Sequence, residues 1–280
     1  MRVPKPKGTL IPIGGGEDKE QEEVVLKRII KETRKRSPKV CLITLATSQP
    51  KETAKTYRDA FRSIGITKVS VLNYESRTEA TTEDNIKCVK DADMILFSGG
   101  DQLKLTSLLG GTGLMDLIKS RYYDEPDFVV AGTSAGAAAM SNTMIIRGSS
   151  VDAMVKGELE LTNGLDLINS VFIDTHFAER GRVGRLIQTA TSNPGILGVG
   201  LGEDTAVVIK KGEIMEVFGS GLVMVVDGTE ITYTDLAEIS HDTPITVEGL
   251  KVHVLGPGKK FIIKDKTIHK ESEKREKEAV

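Results

Sequence analysis

The stretch VVAGTSAGAAAM, Val129 to Met140, decides how the rest of the chain is read. It places a Gly-x-Ser-x-Gly at Gly132, Ser134 and Gly136, directly after β-favouring residues and directly before a run of alanines. Phe128 to Ala131 is short, apolar and β-branched in character, which predicts a buried strand. Ala135 to Met140 is rich in good helix formers. Ser134 therefore falls at a strand-to-helix turn, where small residues two before and two after are the steric condition for a nucleophile elbow. The N–H of Ala135 then points out of a helix N-terminus, free to hold a developing oxyanion.

Working outward, strand-like and helical segments alternate. Residues 9–13 read as a strand ending in Gly14-Gly15-Gly16, and Gln21 to Lys35 carries apolar residues at helical spacing. KVCLITLAT is a second strand, followed by a helix over 51–64. KVSVLN is a third, followed by a helix over 82–90, and DMILFSGG is a fourth. A helix over 102–118 contains the awkward LLGGTG, and the elbow strand comes fifth. Such alternation predicts an α/β fold, flavodoxin-like, with a mainly parallel sheet and helices on both faces. Ligands gather at the carboxyl ends of such strands, where 14–16, 98–102 and Ser134 all fall.

Further on, SVFIDTHFAERGRVGRL reads as a strand ending at His176 and a helix from about Gly181. The stretch 195–219 reads as a strand, a Gly-Glu-Asp turn and a hairpin through Lys210-Lys211-Gly212. Short β-like runs then continue as additional C-terminal β structure at the sheet's edge. We expect one α/β hydrolytic domain over 1–265 and a highly charged tail over 266–280.

With 280 residues the chain can bury about three quarters of its unfolded surface. Its 39% apolar and 28% charged residues are the balance of a soluble globular protein. A net charge of −2 offers no global attraction to nucleic acid or to anionic membranes. The N-terminus has no secretory pattern and no stretch is apolar enough to span a bilayer, so the expected location is the cytoplasm. Cys41 and Cys88 show no metal or redox spacing and read as packing residues, and no His/Cys cluster suggests a metal.

A serine nucleophile needs a base and a group to orient it. His241, His253 and His269 lie in the late β region or the tail, whereas His176 ends an apolar strand at the edge that presents Ser134. Strand alternation puts Asp174 and His176 on one side and Thr175 on the other. Asp174 and Glu203, in GLGEDTA, are the two acids that could orient the imidazole. The order serine, histidine, acid differs from that of α/β-hydrolases, where the histidine comes last.

Arg180, Arg182 and Arg185 lie close behind His176, two of them at i, i+3 spacing. Three guanidinium groups near a helix N-terminus suit carboxylates. PIGGGED and LLGGTGL match neither the dinucleotide fingerprint nor a phosphate loop. Gly99-Gly100 can instead bring backbone N–H groups close to a reacting carbonyl.

GTLIPIGGGED, FSGGDQ, AGTSAGAAAMS, FIDTHFAERGRVGRL and GLGEDTA, in this order, resemble the cyanophycinases, within the group of serine peptidases that also holds aspartyl dipeptidase. The resemblance spans most of the chain. It implies a fold like class I glutamine amidotransferases and a Ser–His–Glu triad of Ser134, His176 and Glu203. It implies that Gln102, Asp174, Thr175, Arg180, Arg182 and Arg185 line the substrate site, with Gly100 and Ala135 supplying oxyanion N–H groups. The implied reaction cleaves the polyaspartate backbone of cyanophycin to β-aspartyl-arginine, without metal or organic cofactor, in a homodimer. Thr175 departs from the pattern, since such sequences usually carry glutamine before the histidine. A hydrolase of short aspartyl peptides, or a non-catalytic binding protein of the same fold, are the alternatives.

Overall fold

Residues 5–148 and 150–270 are described by the computed structural model of the chain. The first strands and helices follow the expected alternation: β1 (Thr9–Ile13), α1 (Val24–Glu32), β2 (Val40–Ile43), α2 (Pro50–Ser63), β3 (Val69–Leu72), α3 (Glu83–Asp91) and β4 (Met94–Phe97). Next come α4 (Gln102–Leu109), α5 (Gly113–Asp124), β5 (Val129–Thr133) and α6 (Ala135–Ala138). Helix α1 starts later than its apolar periodicity suggests. The Asp18 carboxylate accepts the N–H groups of Glu20, Gln21, Glu22 and Glu23, holding them in a turn that delays the first helical residue to Val24. The single helix expected over 102–118 is two helices. Gly111, with φ of 66°, breaks it, and the Thr112 hydroxyl caps α5 by accepting the N–H of Met115.

β6 (Thr143–Arg147) and β7 (Glu160–Asn163) form a hairpin that the sequence patterns do not announce. β8 (Val171–Asp174), α7 (Val183–Ser192), β9 (Leu197–Leu201), β10 (Thr205–Lys210), β11 (Ile214–Gly219) and β12 (Val223–Asp227) follow. The C-terminal part adds β13 (Tyr233–Thr234), β14 (Val247–Glu248), β15 (Lys251–Leu255), β16 (Lys260–Ile262) and β17 (Thr267–Ile268). β17 pairs with β16, so the first residues of the stretch read as a charged tail belong to the sheet. Residues 271–280 of that stretch lie outside the described residues.

The central sheet runs β17-β16-β11-β10-β1-β5-β4-β2-β3, and β1, β5, β4, β2 and β3 are mutually parallel. One face buries Ile11, Val129, Leu96 and Leu42 under α1 and α2. The other buries Leu10, Val130, Ile95 and Cys41 under α3, α4 and α5. Strand alternation thus sorts two apolar layers from near-continuous hydrophobic runs, as a doubly covered parallel sheet requires.

Strands β8 and β9 are not in this sheet. They form a second one, ordered β15-β12-β9-β8, with Val171, Ile173, Val199 and Val225 packed into the α3–α5 side of the core. Helix α7 covers its outer face through Leu186 and Ala190 against Phe172 and Val226. The expectation that His176 and Ser134 share one sheet edge is corrected accordingly: two sheets meet at the site. Cys41 and Cys88 are likewise more than packing residues. Both enter the same apolar layer, β2 contributing one and α3 the other, and they are joined in a disulfide with Cα atoms 6.0 Å apart. No described helix is long and apolar enough to cross a membrane.

Three tyrosines tie this core to pH. Burial raises the phenol of Tyr57 well above its ordinary value, with Glu17 beside it adding to the effect, and burial also raises Tyr122 and pushes Tyr74 up to about 12. Folded, these phenols keep their protons where the unfolded chain loses them, near pH 10. Their contribution is therefore fully present below about pH 10 and is lost as pH rises above it. The urea midpoint should hold steady up to about pH 10 and fall as pH rises from there toward about 12, less steeply in Tyr122→Phe; equal slopes in the two proteins would contradict this assignment.

Candidate active site

The sheet register sets the site. Ile13 pairs with Thr133 and Phe97 with Gly132, so the chain leaves β1, β4 and β5 side by side at their carboxyl ends. Ser134 follows β5 with φ 52° and ψ −116°, a conformation that a non-glycine residue holds only when its surroundings over-determine it. Those surroundings are visible. The Ser134 N–H donates to Ile13 O at 3.0 Å, and a Cβ on Gly132 would stand 2.6 Å from Gly136 O. Gly132 lies against Gly136 across the elbow, and a Cβ on Gly136 would stand 2.5 Å from Phe97 O on β4, so neither position admits a side chain. Helix α6 is only four residues long, shorter than the alanine run suggests, because the chain turns away after Ala138 toward β6.

His176 follows β8 with φ 48°, so the strand's alternation stops at Asp174. Its N–H donates to Gly14 O at 2.8 Å, turning the ring away from the side that Asp174 takes. Ser134 Oγ and His176 Nε2 are 2.8 Å apart, and His176 Nδ1 and Glu203 Oε1 are 2.6 Å apart. The imidazole is mostly buried at 13% exposure, whereas Glu203 is 41% exposed. Of the two candidate acids, Glu203 is the one that reaches the ring. A carboxylate on Nδ1 fixes the tautomer that leaves Nε2 free to accept the serine proton.

The Gly14-Gly15-Gly16 turn, which matches no phosphate-loop pattern, has a different task. A Cβ on Gly15 would lie 2.4 Å from the His176 ring, and one on Gly16 would lie 2.8 Å from Glu203 Oε2. The bare backbone lets base and acid lie against it. Asp204 N–H donates to Gly15 O at 2.9 Å, fixing the turn that carries Glu203. Sequence reasoning placed these glycines at the right sheet end without finding their partners. The signal was three consecutive glycines after a buried strand, which implies close approach by something.

Ala135 opens α6, so its N–H has no acceptor within the helix. A Cβ on Gly99 would be 3.3 Å from that of Ser134, so the turn carrying Gly100 runs directly beside the serine. Gln102 stands half-buried at the start of α4, its amide donating to Ile145 O on β6 at 2.9 Å.

The remaining polar residues form a second cluster behind His176. Asp174 Oδ1 accepts from Arg182 at 3.2 Å, from Arg185 at 3.1 Å and from the Thr175 N–H at 3.0 Å. Burial pushes the Asp174 carboxyl up from its ordinary value, and Arg185 and Arg182 oppose that push. Asp174 Oδ2 is buried without a hydrogen-bond partner among the described residues. Thr175 is itself buried, its carbonyl taken by Arg182 at 2.7 Å. Arg180 stands exposed in the turn before α7. Glu179, which could have neutralised the arginines, instead accepts the Glu203 N–H at 3.1 Å. Arg182 and Arg185 therefore share one carboxylate, and the cluster stays positive on balance.

Known proteins carry the same arrangement of sequence. Residues 10–217 match peptidase family S51. A cyanophycinase of Trichormus variabilis is 32% identical over 269 residues, covering 96% of this chain and 90% of that one. A cyanophycinase of Synechococcus elongatus is 32% identical over 252 residues, covering 90% of this chain and 78% of the relative. Among solved structures, a peptidase from an acI-B1 Actinobacterium superposes with a TM-score of 0.66 at 20% identity, over 91% of this chain and 96% of that one. A putative peptidase E from Listeria monocytogenes gives 0.53 at 20% identity, over 76% and 99%. At such identity the two structures speak for the fold, while the family match and the curated relatives speak for the chemistry. The chain belongs to peptidase family S51 and is a serine peptidase.

Proposed function

We propose that this peptidase hydrolyses the polyaspartate backbone of cyanophycin, releasing β-aspartyl-arginine through an acyl-enzyme. The unbroken hydrogen-bonded chain from Ser134 through His176 to Glu203 carries the reading. His176 Nε2 takes the proton of Ser134 Oγ as the oxygen attacks an aspartyl α-peptide carbonyl. Glu203 stabilises the resulting imidazolium. The N–H groups of Gly100 and Ala135 hold the oxyanion, each contributing about 10²–10³ in rate. His176 then protonates the leaving nitrogen as the peptide C–N bond breaks. Water, deprotonated by the same imidazole, cleaves the ester and returns Ser134 to its starting state.

The substrate class follows from charge. Arg180, Arg182 and Arg185 suit the carboxylates of a polyaspartate product end, as forked donors do. The unpartnered Asp174 Oδ2 suits a substrate guanidinium. The cyanophycinase relatives at 32% identity support the same substrate. The assembly we propose is a homodimer in the cytoplasm.

Incubation of the pure protein with cyanophycin, followed by mass spectrometry, should give β-aspartyl-arginine as the principal product. Release from short peptides with an N-terminal aspartate, and none from the polymer, would instead establish an aspartyl dipeptidase. Thr175, buried where relatives of this kind usually offer a glutamine amide, would then be the first position to exchange.

A further inference from the structure

Glu17 lies outside the Ser134–His176–Glu203 chain, yet its carboxylate reaches the elbow. It is almost wholly buried, its side chain 1% exposed. Oε2 accepts the Thr133 hydroxyl at 2.7 Å, and Oε1 accepts the Tyr57 hydroxyl from α2. The Lys19 ammonium lies 3.0 Å from Oε1 and 5.0 Å from the centroid of the Tyr57 ring. Buried charge is tolerated only with such complete pairing. What makes this pairing more than a core ion pair is its address. Thr133 is the last residue of β5, covalently joined to Ser134 and its strained backbone.

We propose that Glu17 is a positioning residue of the peptidase, holding the orientation of the Ser134 elbow through the Thr133 hydroxyl; this rests on Ser134 being the nucleophile. The segment Gly14 to Asp18 then ties all three triad elements together. Gly14 O takes the His176 N–H, Gly15 O takes the Asp204 N–H, and the Asp18 N–H donates to Asp204 Oδ1 at 3.1 Å. Glu17 supplies the remaining tie, to the nucleophile's strand. A strained residue needs fixation on both sides. Ile13 O holds the Ser134 N–H, and Glu17 holds the side chain immediately before it.

The test compares two hydroxyls on one carboxylate. Thr133→Val removes the hydroxyl next to the elbow at constant shape, and Tyr57→Phe removes the one on α2. Acylation by a fluorophosphonate reports on Ser134 alignment without using the substrate subsites. Thr133→Val should slow acylation by about tenfold or more, since small misplacements of a reacting atom are that costly. It should lower kcat on cyanophycin with KM within twofold, and Thr133→Ser should restore both. Tyr57→Phe should lower thermal stability at least as much while slowing acylation less. If both variants slow acylation equally, or neither slows it, Glu17 is only a structural anchor and the proposal is overturned. Wild-type protein that escapes the label, or takes it away from Ser134, would overturn the nucleophile assignment itself and this proposal with it.

Discussion

Ser134→Ala is expected to lower kcat on cyanophycin by about 10⁴-fold or more, because a triad with its nucleophile removed retains only oxyanion and binding effects. The geometry explains the size. Among the described residues His176 Nε2 has one hydroxyl within hydrogen-bond distance, that of Ser134 at 2.8 Å, and the alanine methyl offers neither a lone pair nor a proton. The proposed oxyanion donors, the backbone N–H groups of Gly100 and Ala135, survive the substitution. The cluster around Asp174, proposed to bind the substrate, is likewise untouched, so affinity for the polymer should stay near that of the wild type. Steady-state release of β-aspartyl-arginine, alongside binding of the uncleaved polymer to the variant, checks both halves. Turnover within tenfold of the wild type would show that another group attacks the peptide.

Asp174→Ala should be the most destabilising single change at the site. It leaves the guanidinium groups of Arg182 and Arg185, 15% and 9% exposed, without their shared anion. Breaking a buried ion pair from one side costs about 3–5 kcal/mol, far more than the pair contributes as a whole. For a chain of this size that corresponds to a drop of roughly 10 °C in melting temperature. Asp174→Asn, which keeps an oxygen for one guanidinium, should fall between. Calorimetry of the three proteins decides: equal melting temperatures would mean that the arginines are stabilised by solvent rather than by Asp174. Activity should fall in both variants, since the freed guanidinium groups no longer hold one geometry.

Much of the site was legible because the information is local. The elbow at Gly132, Ser134 and Gly136 is a steric statement about five consecutive residues, and the structure realises it as the contact of Gly132 with Gly136. The alternation of strand and helix through β5 is equally local, since apolar period and turn chemistry are read within about ten residues. Boundaries moved where a side chain intervened, as Asp18 does before α1 and Thr112 before α5, and where the backbone turned early, as at Gly111 and after Ala138.

The long-range contacts were not legible. His176 lies 42 residues from Ser134 and Glu203 a further 27 from His176, and each sits just past the end of a strand of the second sheet. Period-two alternation wrongly paired the directions of Asp174 and His176, because it cannot foresee the positive φ at which β8 ends. Nor can spacing reveal that Cys41 and Cys88 bond across the core, that Gly15 lies against an imidazole, or that Glu17 reaches Thr133 from 116 residues away. The α/β alternation, the elbow and the choice of His176 as candidate base were readable from the residues alone, because sterics and periodicity act within single segments. The packing of the second sheet into the α3–α5 layer of the core, the tie from Gly14–Asp18 to the site, and the enclosure of Asp174 by arginines came from the folded chain alone. Those depend on which apolar faces bury one another, a property of the whole chain rather than of any stretch of it.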